Sequence, residues 1–307
     1  MTARSAVAIG GGTGLPLVLR CMLAAGFDTT AVVTVADDGG SSGHLRRELG
    51  MLPPGDIRNC LVALAEPESE LAPVFQYRFP SGEGLAGHAL GNLMIAALAD
   101  IEGGFAEAVE AAGRLLGIRG RVLPSTLADV ILSGRDREGR LVIGQARVAE
   151  TEGPIARVCL EPADVPGYPT ALDAVRGADI VVIGPGSLFT SIIPNFLVDG
   201  VTEALLESDA RVIYVCNVAN MRGETAGMDA ADHVDALVAH GLGGAIDVVL
   251  VDEPGPGQRA DAVESGPAQR ARIEAEGIDV VGADLVDPAS PARHDPAKLL
   301  AALSGVW

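Results

Sequence analysis

The chain has 307 residues, 48% of them hydrophobic and 21% charged, with a formal net charge of -19. That length supports one large α/β domain with a substantial core, whereas the acidic balance and an aromatic content of 3% leave little for phosphate-backbone binding or base stacking, so no nucleic-acid partner is expected. No apolar run approaches the ~20 residues that span a membrane, and no basic, apolar and cleavage-site succession opens the chain, so a cytoplasmic protein with no membrane partner is expected.

Residues 6–9 read as a first strand, and the spacing of Leu15, Val18, Leu19, Met22 and Leu23 predicts the helix that follows. Between them lies Gly10-Gly11-Gly12-Thr13-Gly14. Glycines permit positive φ and close backbone approach, so the amides of Gly11, Gly12, Thr13 and Gly14 can converge on an anion at a helix N-terminus. The Thr13 hydroxyl can join them or cap the helix. Gly10 and Gly12 open a dinucleotide fingerprint, but Leu15 stands where its third glycine belongs, which disfavours a nicotinamide dehydrogenase. A P-loop needs a lysine here, and the only lysine of the chain is Lys298, so a Walker-type ATPase is excluded.

A second strand at residues 31–35 opens into Asp37-Asp38-Gly39-Gly40-Ser41-Ser42-Gly43. Asp37 reads as a turn residue and Asp38 as a contact to ribose hydroxyls or to a phosphate-bound Mg²⁺. Ser41 and Ser42 suit an anion nest, or else a plain flexible loop. Residues 53–59 lead into a helix through Leu61, Leu64 and Ala65; Asp56 suits its N-cap, and Asn59, one turn further on, is the better site candidate. Residues 70–116 are helical in pattern. His88 and Asn92, spaced i, i+4 where one of these helices opens, can face a cleft together, with a satisfied core histidine as the competing reading.

The pattern changes at Arg121. Leu127, Val130, Ile131 and Leu132, a charged turn at 135–139, then Leu141, Ile143, Ala146 and Val148 predict an antiparallel hairpin continued by residues 155–160, an insertion at about 121–162 within one 1–307 domain. From Tyr168 onward βα alternation resumes, with buried strands at 179–183, 211–216, 245–251 and 278–281. Gly184, Gly186 and Ser187 repeat the first glycine turn and are expected to hold the other end of a ligand. Asn217 and Asn220 can read a base or sugar, and Arg293 is the natural fixed cation for a diphosphate unless it pairs with Asp295. The fold expected is a doubly wound, mainly parallel Rossmann-like α/β sheet with an inserted antiparallel β-hairpin region and its ligand loops at the carboxyl edge. Cys21, Cys60, Cys159 and Cys216 lack CxxC spacing and read as small core residues.

The ordered motifs IGGGTG at 9–14, DDGGSSG at 37–43, PPGDIRN at 53–59, HALGN at 88–92, GPGSLFTSIIPN at 184–195, NVANMRGET at 217–225 and RHDP at 293–296 resemble the bacterial gluconeogenesis factor family. This is the YvcK-like branch of the superfamily that holds the 2-phospho-L-lactate transferases (CofD-like). The resemblance runs nearly end to end. It implies a cytoplasmic protein that binds UDP-sugars such as UDP-N-acetylglucosamine and is needed for cell shape and cell-wall synthesis during gluconeogenic growth, acting on a cell-wall precursor enzyme or another partner and forming a homo-oligomer. The transferase relatives imply the alternative, a metal-dependent transfer from a nucleotide diphosphate conjugate with Mg²⁺ at the diphosphate. Residues 258–266 depart from the family pattern in carrying no tyrosine to stack on a base or sugar.

Overall fold

The computed structural model describes residues 3–151, 153–253 and 259–307. Short runs of aliphatic and β-branched residues, too short for helices, form strands buried on both faces; Ile180–Ile183 is buried at every position. Seven strands make the main sheet: β1 (Ser5–Gly10), β2 (Asp28–Val33), β3 (Arg121–Pro124), then β7 (Ile180–Ile183), β8 (Arg211–Val215), β9 (Val248–Asp252) and the half-buried edge strand β10 (Asp279–Ala283). Their spatial order is β10-β9-β8-β7-β1-β2-β3, and every neighbouring pair is parallel. The chain therefore winds outward in one direction from β1 and in the other from β7, which places a switch point between those two strands, where open α/β sheets bind ligands.

Alternation along β1 sorts its side chains between two cores: Ala6 and Ala8 pack with Leu15, Val18, Leu19 and Leu61, whereas Val7 and Ile9 pack with Val181, Ile183 and Phe189. On the first face lie α1 (Leu15–Ala24), α3 (Gly55–Leu64) and α6 (Phe105–Leu116). Each fully buried Leu, Ile or Val contributes roughly 1.5–3 kcal/mol, so both faces anchor the loops that leave the strand ends. Three more strands, β4 (Ile131–Asp136), β5 (Leu141–Ile143) and β6 (Ile155–Glu161), form a separate antiparallel sheet in the order β5-β4-β6. Two short strands, β11 (Val286–Asp287) and β12 (Ser290–His294), pair antiparallel before the last helix, Pro296–Ser304. Among the described residues no helix is long and apolar enough to cross a membrane.

Several local expectations change. Residues 40–43 belong to α2 (Gly40–Leu49) and not to a flexible loop, because Gly39 is an extended N-cap and the following residues turn helical at once. His88 precedes α5 (Leu90–Glu102), whose N-cap is Ala89. Ala146 and Val148 lie in a short helix, α7 (Gln145–Ala149), because Gly144 at φ 104 ends the strand course. Arg121–Pro124 joins the edge of the main sheet beside β2, since it follows a helical crossover instead of opening the hairpin. Cys159 is exposed on β6, between the inward-facing Val158 and Leu160, whereas Cys21, Cys60 and Cys216 are buried.

Candidate functional site

The register Ile9↔Ile183 sets the ends of β1 and β7 level, so the loops at 10–14 and 184–187 leave the sheet side by side. They touch. A Cβ on Gly14 would overlap the carbonyl of Pro185, and one on Gly10 would lie 3.8 Å from the Cα of Gly184. Asn195, fully buried in the helical segment 188–196, donates through Nδ2 to the Gly10 carbonyl at 3.2 Å and to that of Ser191 at 2.9 Å. The second loop is tied in turn to the segment after β8: Asn217 Nδ2 donates to the Gly186 carbonyl at 2.8 Å, and Ser187 Oγ donates to Met221 Sδ at 2.8 Å.

A cavity of about 400 Å³ opens where these loops meet. Thr13, Gly14, Gly186, Ser187, Asn217 and Arg293, all expected in a site, line it, together with Arg20 and Asp287, which were not. Helix α1 starts from Gly14 without a side-chain cap, so the Thr13 hydroxyl is not used as one. Arg20 follows Leu17 by three residues, on the face of α1 that continues from Gly14; this spacing was the available signal for it. Arg20 and Arg293 are exposed and have no ion-pair partner among the described residues. Asp295 is engaged elsewhere: its Oδ1 accepts from the amides of Ala297 and Lys298 at 2.9 and 3.0 Å, capping the last helix. His294 Nε2 donates to the Cys216 carbonyl at 3.0 Å, which pins β12 over the end of β8 and brings Arg293 to the cavity. Burial pushes the His294 imidazole down to about 4, so it stays neutral at pH 7.

Ser41, Ser42, Asn59, His88 and Asn92 instead form a largely buried network behind the first loop, outside this cavity. Asp56 is no cap, since the N-cap of α3 is Pro54; its Oδ2 instead accepts from the Gly12 amide at 2.6 Å. A Cβ on Gly11 would stand 2.8 Å from that same oxygen. Burial raises the Asp56 carboxyl to about 6, against the lowering effect of the Gly12 amide. Ser42 Oγ accepts from the Gly55 amide at 3.1 Å. Ser41 Oγ accepts from Asn92 Nδ2 at 3.0 Å and lies 3.1 Å from His88 Nδ1. Arg58 joins the next layer, donating to Asn92 Oδ1 at 2.9 Å and to Asn59 Oδ1 at 2.7 Å. His88 and Asn92 thus do converge, on Ser41.

Asp37 Oδ1 accepts from the Gly39 amide at 3.0 Å, as a turn residue does. Asp38 accepts from the amides of Gln145 and Ala146 at 3.0 and 2.8 Å, so both its oxygens are occupied by the start of α7. Asn220 donates to the Met228 carbonyl at 2.8 Å within its own segment. Residues 259–266 lie among those described, while Gln258 lies outside them.

Glu224 was not singled out in the sequence, where a glutamate in a polar stretch reads as surface. It is fully buried. Its Oε1 accepts from the amides of Phe189 and Thr190, the latter at 3.0 Å, and its Oε2 accepts from Thr190 Oγ1 at 3.2 Å. Burial lifts the carboxyl to about 7 despite these bonds.

Residues 6–286 match the family model described as 2-phospho-L-lactate transferase CofD, so the chain belongs to the CofD family. Within that family it falls among the bacterial gluconeogenesis factors. It is 44% identical to the gluconeogenesis factor of Bacillus subtilis, over 96% of this chain and 95% of that protein. To the gluconeogenesis factor of Halalkalibacterium halodurans it is 46% identical, over 83% and 79% respectively. A longer relative from Nostoc, of which the chain spans 66%, is 45% identical. The crystal structure of a UPF0052 family member from Bacillus halodurans superposes with a TM-score of 0.91 at 41% identity, covering 99% of both chains.

Proposed function

We propose that the protein is a nucleotide-sugar-binding regulator. It holds the diphosphate of a UDP-sugar, UDP-N-acetylglucosamine foremost, between the two glycine loops and relays its presence to cell shape and wall synthesis during gluconeogenic growth through a cell-wall precursor enzyme. One observation carries the reading. In a chain of net charge -19, two arginines without ion-pair partners among the described residues, Arg20 and Arg293, line one cavity at the switch point of the sheet. Guanidinium groups bind phosphate oxygens in pairs and stay charged at every physiological pH. Thr13 and Asn217 add neutral hydrogen-bonding groups, and Leu17 and Val218 an apolar wall.

The reading gives the protein no metal cage. Among the described residues no three His, Cys, Asp or Glu side chains stand together so as to hold a metal ion, and Asp38 is occupied by the amides of α7. Mg²⁺ then arrives with the diphosphate and takes phosphate oxygens, as this ion commonly does.

Calorimetry with UDP-N-acetylglucosamine, UDP, GDP and uridine, with and without Mg²⁺, tests the proposal. The UDP compounds should bind and uridine should not, and Thr13→Val should weaken UDP by roughly 1 kcal/mol or more through loss of the hydroxyl. The nucleotide sugar should be recovered intact. The transferase alternative draws on the half-buried Asp56 carboxylate, set against the Gly12 amide and raised to about 6. Turnover of a nucleotide conjugate that disappears in Asp56→Asn while binding persists would establish that alternative instead.

A further inference from the structure

We propose that Glu224 is a positioning residue of the cavity: its carboxylate fills the amide end of the helical segment 188–196, so the segment presents Gly186 and Ser187 to the ligand and seats no phosphate on its own N-terminus. The inference rests on the diphosphate reading above. A glycine turn running into a helix ordinarily offers its first free amides to an anion. Here that seat is taken from within the protein, because the amides of Phe189 and Thr190 and the Thr190 hydroxyl all point at Glu224.

The residues around Glu224 make it a junction. Upstream of it, Asn217 and Met221 hold the carbonyl of Gly186 and the hydroxyl of Ser187. Its own carbonyl accepts from the Ile155 amide at 3.3 Å, and a Cβ on its neighbour Gly223 would overlap the carbonyl of Thr151. One residue thus ties the second glycine loop, the segment after β8 and the antiparallel sheet to one another. The groups facing its carboxylate are the amides of Phe189 and Thr190 and the Thr190 hydroxyl; no charged side chain among the described residues shifts its ionisation, which burial alone displaces upward. Ionised, the carboxylate accepts with both oxygens. Protonated, or replaced by an amide, it keeps Oε1 for both amides and donates instead to the Thr190 hydroxyl, which can accept.

Two measurements test this on the full chain. Without ligand, hydrogen exchange at Phe189 and Thr190 should be at least tenfold faster in Glu224→Ala than in the parent and within about threefold of it in Glu224→Gln, which keeps an acceptor oxygen. With UDP-N-acetylglucosamine as the probe at one fixed pH, affinity should fall several-fold in Glu224→Ala, which leaves both amides without their acceptor. In Glu224→Gln, which keeps Oε1, affinity should stay within about threefold of the parent, a rescue that a merely space-filling role would not require. Unchanged exchange in Glu224→Ala would overturn the proposal, as would parent-like affinity in Glu224→Ala or a loss in Glu224→Gln as large as in Glu224→Ala. If the parent binds no nucleotide sugar, the diphosphate reading fails and the cavity role falls with it, while the exchange data still show whether Glu224 holds the segment.

Discussion

A carboxylate buried without a cationic partner costs stability, and Glu224 makes that cost measurable. Its value of about 7 in the folded protein lies above the ordinary 4.5, so the folded state binds this proton more tightly than the unfolded chain. The contribution to stability is therefore largest below about pH 4.5 and is lost as pH rises through about 7. Glutamine does not ionise. Relative to the parent, Glu224→Gln should gain up to about 3 kcal/mol between pH 4.5 and pH 8, read from urea unfolding at the two pH values. An equal difference at both would show that Glu224 ionises freely in the fold. Arg293 makes a second case at this scale. Arg293→Gln should weaken UDP by more than the loss of a neutral hydrogen bond, about 1.5–3 kcal/mol, and leave any residual uridine binding unchanged. Equal losses for both would mean that Arg293 acts by packing.

Between elements, the contact of the two glycine loops is the most demanding fit. Gly10 has room for a methyl group, with Leu15 Cδ1 at 3.5 Å from an added Cβ, whereas at Gly14 the same atom would strike the backbone of Pro185. Gly10→Ala should fold with near-parent stability, and Gly14→Ala should lose about 1–3 kcal/mol along with nucleotide affinity, since a backbone clash forces the loops apart. Thermal unfolding and calorimetry on the pair of variants check this; equal tolerance at both positions would mean that the loops yield. A second inter-element tie is the bond from Asp38 to the amides of α7. Asp38 caps that helix from a distance, so Asp38→Ala should cost about 0.5–2 kcal/mol and speed hydrogen exchange at Gln145 and Ala146, without the tenfold loss of nucleotide affinity expected of a direct contact.

For the whole molecule, six of the seven strands of the main sheet were legible as short aliphatic runs, with β1 and β7 marked further by the glycine turns that follow them, whereas Arg121–Pro124 was read as part of the insertion. The cavity was legible in part, since Thr13, Gly14, Gly186, Ser187, Asn217 and Arg293 lie in glycine or polar turns at strand ends. Arg20 was missed because an arginine on an amphipathic helix reads as a solvated residue until the last helix and β12 bring Arg293 to the same cavity. Asp56 was misread as a cap because its partner, Gly12, lies 44 residues away, and local spacing carries no trace of that bond. Glu224 left no signal for the same reason. His88 and Asn92 do meet, but on Ser41 of α2 inside the protein and not on a cleft face of one helix, since His88 stands ahead of α5.

The central claim is that the diphosphate lies where the ends of β1 and β7 meet, and a crystal structure with UDP-N-acetylglucosamine tests it most directly. The account predicts diphosphate density within hydrogen-bonding reach of Thr13, with Arg20 and Arg293 turned onto its oxygens and Ser187 facing it from the second loop. Density instead on the antiparallel sheet formed by β4, β5 and β6, or in the buried network around Arg58, would contradict it.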